Sequence, residues 1–160
     1  AYGTLDELNS HLGLLRDQIP AEWDAVRAEL AQVQSDLFAL GSHMANDLPE
    51  MVARLPHIDP AWIARLEAAI DRMDLDLEPM RNFLLPGGHV LVSQCHVVRT
   101  VARRAERWVV QLVDQLGADD VPLPEPTVAY LNRLSDYAFT LSRWLGKQLN
   151  APEIPWISKA

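Results

Sequence analysis

The residue types best suited to chemistry lie in one stretch, Arg99-Thr100-Val101-Ala102-Arg103-Arg104-Ala105-Glu106-Arg107. On a helix turning about 100° per residue, Arg99, Arg103 and Glu106 fall within about 60° of one another. They flank an apolar stripe of Val98, Ala102, Ala105, Val109 and Leu112, so the three form a charged ridge beside a core. Arg104 and Arg107 project to the other side. A guanidinium is permanently charged, and its planar fork bonds phosphate oxygens bidentately. Such a helix can hold a phosphate-bearing ligand on one side and a neighbouring subunit on the other. The same spacing suits salt bridges on a solvated face, and this helix alone leaves both readings open.

Three other places carry chemistry-bearing residues. Asn132, Asp136, Phe139 and Arg143 share one line of a later helix, a polar line with a buried-type aromatic in it. Pairing Asp136 with an arginine of the earlier helix, while Asn132 offers its amide to a nucleotide, would satisfy these groups; an exposed face is the plain alternative. Near the start, Asp6, Ser10 and Gly13 share a face without leucine, where Asp6 is placed to orient Arg99 or simply to favour the helix dipole. The loop Asn82-Phe83-Leu84-Leu85-Pro86-Gly87-Gly88 offers Phe83 as a wall for a flat apolar ligand, or else plugs the bundle end.

Other chemistries find little support. His11, His43, His57, His89 and His96 form no HxxxH or ExxH pair on one helix, which opposes a zinc or di-iron centre. Cys95 and His96 are adjacent and so point about 100° apart on a helix, which is no nucleophilic dyad. No lysine follows the Gly87-Gly88 pair as a phosphate loop of the Walker type requires. With a net charge of −8 and no basic patch interleaved with aromatics, nucleic acid is not an expected partner. The apolar runs are too short to span a membrane, and the single cysteine points to a reducing compartment, the cytoplasm.

Positioning these groups falls to helices. At 160 residues and 49% hydrophobic, the sequence is sized for one domain, residues 1–160. Thr4 and Glu7 fit a capping box, so the first helix is expected to begin near residue 4, with Leu5, Leu8, Leu12, Leu15 and Ile19 inward. Trp23, Val26, Leu30, Val33, Leu37, Leu40 and Met44 mark the second. Asp59-Pro60 opens a third, running through Trp62, Ile63, Leu66, Ile70, Met73 and Leu77 and ending before Pro79. The fourth spans about Val90 to Leu116, stopped by Gly117. After a connection rich in proline and acids at 118–126, Val128, Leu131, Leu134, Ala138, Leu141, Leu145 and Leu149 define the fifth. No stretch alternates as a strand would. The expected fold is all-α, an antiparallel five-helix bundle. Tyr137 and Trp144, read as exposed near Arg133, suggest a packed interface.

Four ordered motifs then define a resemblance: Gly3-Thr4-Leu5-Asp6-Glu7-Leu8-Asn9, Phe83 to Gly88, Arg99 to Arg107, and Tyr130-Leu131-Asn132-Arg133-Leu134-Ser135-Asp136-Tyr137. Together they resemble the PduO-type ATP:cob(I)alamin adenosyltransferases. The resemblance implies a homotrimer with active sites at the subunit interfaces. The implied reaction moves the 5′-deoxyadenosyl group of ATP to the cobalt of cob(I)alamin, releasing triphosphate with Mg²⁺ assistance. By the same resemblance Arg103, Arg104, Glu106, Arg107 and Asn132 contact ATP, with Asp136 and Arg133 supporting them. Asp6 and Arg99 pair beside the corrin, and Phe83 displaces the lower ligand of cobalt. No metal ligand is assigned. A cobalamin reductase and an adenosylcobalamin-dependent enzyme are the implied partners. The family carries a glycine- and threonine-rich phosphate-binding segment before its GTxDEL motif; here the sequence opens almost at that motif, so such a segment is expected upstream of residue 1. A non-catalytic trimeric cobalamin carrier or partner-docking bundle is the alternative.

Overall fold

The computed structural model describes residues 1–117 and 120–158. Five helices carry the fold: α1 (Tyr2–Gln18), α2 (Asp24–Met44), α3 (Ala61–Asp74), α4 (Val90–Gln115) and α5 (Pro126–Gln148). Each presents an apolar stripe at steps of three and four, and the stripes close on one core that includes Leu8, Leu12, Leu30, Leu66, Ala102, Leu134 and Leu141.

Cross-helix bonds fix the directions. Asn9 meets Gln34 while Tyr2 approaches Gly41, so α1 and α2 run oppositely. Tyr130 bonds Asp36 and Tyr137 bonds Glu29, which makes α2 and α5 antiparallel. Glu106 with Asn132 and His96 with Phe139 do the same for α4 and α5. In contrast, α3 and α5 run parallel: Trp62 packs on Tyr130, and Glu67 pairs with Arg133. The resulting bundle has the expected up-and-down course, and it brings α1, α4 and α5 side by side at the candidate site.

The seam between α2 and α3 is held by charge as well as by apolar packing. Asp36, 1% exposed, takes Arg65 as an ion-pair partner, the Tyr130 hydroxyl at 2.8 Å and the Gln32 amide at 3.0 Å. Arg72 pairs with Glu29 at 2.6 Å, and Glu29 accepts from the Tyr137 hydroxyl at 3.2 Å. Burial, followed by the adjacent carboxylates, raises both tyrosines well above the ordinary phenol range, so each stays protonated and donates.

Several expectations change. α1 begins at Tyr2 rather than near Thr4, because the Thr4 and Leu5 amides already bond the Ala1 carbonyl; no capping box forms. α3 stops at Asp74 instead of continuing through Leu77, since α5 captures the chain just beyond it. Trp144 bonds the Asp76 carboxylate at 3.2 Å, and Lys147 bonds the Asp76 carbonyl. A short antiparallel ribbon, β1 (Leu84–Leu85) with β2 (Ile154–Pro155), stands where no strand was expected. Tyr137 is buried, not exposed, and Trp144 packs edge-on against Trp23 with ring centroids 5.6 Å apart. Part of the 118–126 connection lies outside the described residues; α4 ends at Gln115, ahead of the expected Gly117, because Leu116 turns extended (φ −68°, ψ 129°), and the Gly117 amide bonds Asp120 Oδ2 at 2.7 Å.

Candidate active site

The RRxER segment lies in the middle of α4, where Ala102 and Ala105 are fully buried and bring α4 close to its neighbours. That leaves the charged residues no route inward. Arg103 and Arg107 are exposed, and among the described residues neither makes a hydrogen bond or ion pair. Arg104 turns to α1 and pairs with Glu7. Glu106 accepts from the Asn132 side-chain amide of α5 at 2.9 Å. The two polar ridges expected on α4 and α5 therefore meet. Arg107, expected on the other side of α4, follows Arg103 by four residues and so lies about 40° from it, and among the described residues both guanidinium groups stand unengaged on one exposed face.

Arg99, half-buried one turn earlier, donates from Nε to His96 Nδ1 at 3.4 Å. Burial and then the Arg103 charge lower its pKa from the ordinary guanidinium value. His96 is buried with its ring edge-on to Phe139, centroids 6.1 Å apart. Burial, then Arg99, lowers its pKa as well, which favours the neutral ring that can accept from Arg99. His96 thus belongs to the charged ridge as an acceptor for Arg99, a role spacing did not reveal although the i,i+3 interval was visible.

Two expected contacts are absent within the chain. Asp136 pairs with Arg133 of its own helix at 2.9 Å, not with an arginine of α4, because i,i+3 residues lie within easy reach. Asp6 and Arg99 form no ion pair among the described residues; Asp6 lies exposed on α1, at the rim of a small hollow with Tyr2, Asn9, Phe38 and Gly41. Gly13 does provide the close approach expected of it, with the Gln34 side-chain amide 3.2 Å from where a Cβ would stand.

Phe83 is 75% exposed at the end of the bundle near the start of α4. Its carbonyl accepts from the Trp156 amide at 2.7 Å, and the ribbon continues from there. Phe83 and Trp156 flank a surface pocket of about 460 Å³. Gly88, at φ 94°, makes the reversal into α4 possible, and a Cβ there would crowd the Pro152 carbonyl. His89 caps α4 through its ring, Nδ1 accepting from the Leu91 amide at 3.2 Å.

The arrangement offers a cationic ridge with an amide–carboxylate pair in the middle of α4 and an apolar aromatic surface on the segments before α4 and after α5. It can bind polyphosphate at one place and a flat apolar ring at another. No three His, Cys, Asp or Glu side chains converge as a metal site among the described residues. A dedicated all-protein cage for Mg²⁺ therefore does not fit among the described residues.

Known proteins share this plan. The family model described as cobalamin adenosyltransferase matches residues 1–145. The chain is 39% identical over 159 residues to the cobalamin adenosyltransferase of Cupriavidus metallidurans, covering 98% of this chain and 78% of that protein. It is 39% identical over 143 residues to the corrinoid adenosyltransferase PduO of Salmonella typhimurium, covering 89% of this chain but only 40% of that protein's length. A variant of the PduO-type ATP:corrinoid adenosyltransferase from Lactobacillus reuteri, solved in complex with cobalamin and ATP, superposes with a TM-score of 0.87 at 30% identity, covering 98% of this chain and 84% of that one. With the family model matching residues 1–145 and a relative 39% identical across 98% of the chain, this protein belongs to the cobalamin adenosyltransferase family.

Proposed function

We propose that this chain is an ATP:corrinoid adenosyltransferase that moves the 5′-deoxyadenosyl group of ATP to the cobalt of cob(I)alamin, giving adenosylcobalamin and triphosphate. The observation that carries this reading is the Glu106–Asn132 bond at 2.9 Å with Arg103 and Arg107 exposed on the same stretch of α4. Such a set holds a nucleotide without a catalytic base.

No base is needed. The cobalt of cob(I)alamin attacks C5′ with its own electron pair; a cobalt–carbon bond forms as the C5′–oxygen bond breaks, and that bond's electron pair leaves with triphosphate. Protein groups contribute by alignment and by stabilising charge on the departing oxygens. Arg103 and Arg107 supply that charge, Asn132 and Glu106 orient the nucleoside, and Arg104 anchors α4 on α1 through Glu7. Phe83 supplies the apolar lower face of the corrin, from which water and a lower ligand are excluded.

Asp6 and Arg99 remain separate within one chain, which supports a site completed by a second copy, with Asp6 of one protomer meeting Arg99 of the next. We assign the working assembly as a homotrimer on that basis and on the family resemblance. Cob(I)alamin must be made by one-electron reduction, so a corrinoid reductase is the upstream partner; an adenosylcobalamin-dependent enzyme consumes the product. A cytoplasmic site of action fits the lone buried thiol and a substrate that needs reducing conditions. No helix among the described residues is long and apolar enough to cross a membrane.

Arg103→Ala tests the assignment. Adenosylation followed by the corrinoid spectrum should fall roughly 10²- to 10³-fold, the usual loss on removing one preorganised charge donor, with the assembly unchanged by size-exclusion chromatography. Full turnover by the variant would remove Arg103 from the machinery.

A further inference from the structure

Arg143 stands where two segments of irregular chain meet. It comes from the same line of α5 as Asn132 and Asp136, yet its side chain is only 10% exposed. Nε donates to Glu153 Oε1 at 2.6 Å, in the stretch that follows α5. Nη2 donates to the Glu78 carbonyl at 2.7 Å, in the stretch that follows α3. Phe83 lies a few residues beyond Glu78, and Trp156 a few beyond Glu153. The two segments meet again through the Trp156 amide on the Phe83 carbonyl and through the Leu84–Pro155 and Leu85–Ile154 register of the ribbon.

Arg143, Glu78, Phe83, Trp156 and Glu153 thus lie on one closed circuit, made of these three hydrogen bonds and the two chain segments that join them. Apolar burial does not hold the far side of that circuit, since Phe83 is 75% and Trp156 50% exposed. Stretch 80–82 is flanked on both sides by open volume, about 410 Å³ beside Glu78 and Glu153 and about 460 Å³ beside Phe83 and Trp156. With so little packing, the shielded and charge-assisted bonds of Arg143 are a restraint common to both segments, beside the ribbon itself. Only a guanidinium offers two donors in fixed directions, so lysine would reach one acceptor at a time.

We propose that Arg143 is a positioning residue for the corrinoid: by tying Glu78 and Glu153 to α5, it holds Phe83 and Trp156 as two walls of one preformed apolar surface. The flat ring then settles without having to order two loops, a cost that would otherwise be subtracted from binding. This rests on the adenosyl-transfer reading above. Arg143 lies eleven residues along α5 from Asn132, roughly 16 Å, so its effect is confined to the corrinoid side.

The test uses Arg143→Met and Arg143→Lys, with Glu153→Gln as a milder variant that keeps Arg143 in place should either fail to fold. Amide hydrogen exchange is followed in residues 79–86 and 151–158, and KM is measured separately for cob(I)alamin and for ATP. For Arg143→Met, exchange in both segments should accelerate, and KM for cob(I)alamin should rise about tenfold while KM for ATP stays within about twofold. Arg143→Lys should fall between wild type and Arg143→Met. Unchanged exchange would overturn the proposal, as would faster exchange with an unchanged corrinoid KM, or a parallel rise in both KM values. A wild-type protein that does not adenosylate would instead sink the functional reading, and the exchange result does not depend on that activity.

Discussion

Asn132 on α5 donates its side-chain amide to the Glu106 carboxylate on α4 across 2.9 Å, and this bond joins the two polar ridges of the bundle. Asn132→Ala and Glu106→Ala should each raise KM for ATP roughly 5- to 30-fold, the effect of losing one well-made polar contact of about 1–2 kcal/mol. Because the residues act as a pair, the double variant should fall short of the summed effects. Steady-state titration with ATP reads this directly; additive losses would mean that the two do not cooperate.

Asp36 is the polar keystone of the core rather than a site residue. Removing its carboxylate leaves the buried Tyr130 hydroxyl and the half-buried Arg65 without their partner. Asp36→Ala should therefore destabilise the fold by about 2–4 kcal/mol, and Tyr130→Phe by about 1 kcal/mol. Urea unfolding midpoints measure both, with unchanged slopes if the unfolded state is unaffected. A loss below about 0.5 kcal/mol for Asp36→Ala would show that the network contributes little.

His96 links stability to pH. Burial, then Arg99, lowers its pKa, so between the ordinary histidine value and the lowered one the unfolded chain binds a proton that the folded chain does not. Its contribution is complete above about pH 6.5 and is lost as pH falls through that window. His96→Gln keeps an acceptor and removes the titration, so its stability should depend less on pH below about 6.5 than wild type does. Parallel curves for the two proteins would contradict this.

Cys95 is enclosed at the core, and burial pushes its thiol far above the ordinary range. An aromatic disulfide reagent should leave the native protein unlabelled and react only as the chain unfolds in urea. Prompt labelling of the folded state would contradict the packing of α4 against α5.

The five helices were legible because apolar residues recur every three or four positions in each, and that recurrence is what buries them. Tyr137 shows the rule applied too loosely: it lies three residues after Leu134 and four before Leu141, so spacing itself places it in the stripe. The end of α3 was not legible, because side chains of α5 decide it. Nor was the ribbon, since two residues per strand set up no alternation. Asp36 is three residues after Val33 and next to Leu37, a carboxylate at the edge of an apolar seam; that position signals a buried pair but does not name Arg65 or Tyr130. In the site, periodicity placed Arg103, Glu106 and Asn132 on facing ridges. The failure of Asp6 to reach Arg99 was hidden, because spacing along one helix does not say which residue of another helix it meets.

Adenosyl transfer ties the corrinoid product to the phosphate product, so it is read from the stoichiometry of the two. The protein is supplied anaerobically with cob(I)alamin and ATP, and corrinoid and phosphate products are both quantified. One adenosylcobalamin should form for each triphosphate released. Release of inorganic phosphate or diphosphate without alkylated cobalt, or an unchanged corrinoid spectrum with ATP intact, would contradict it.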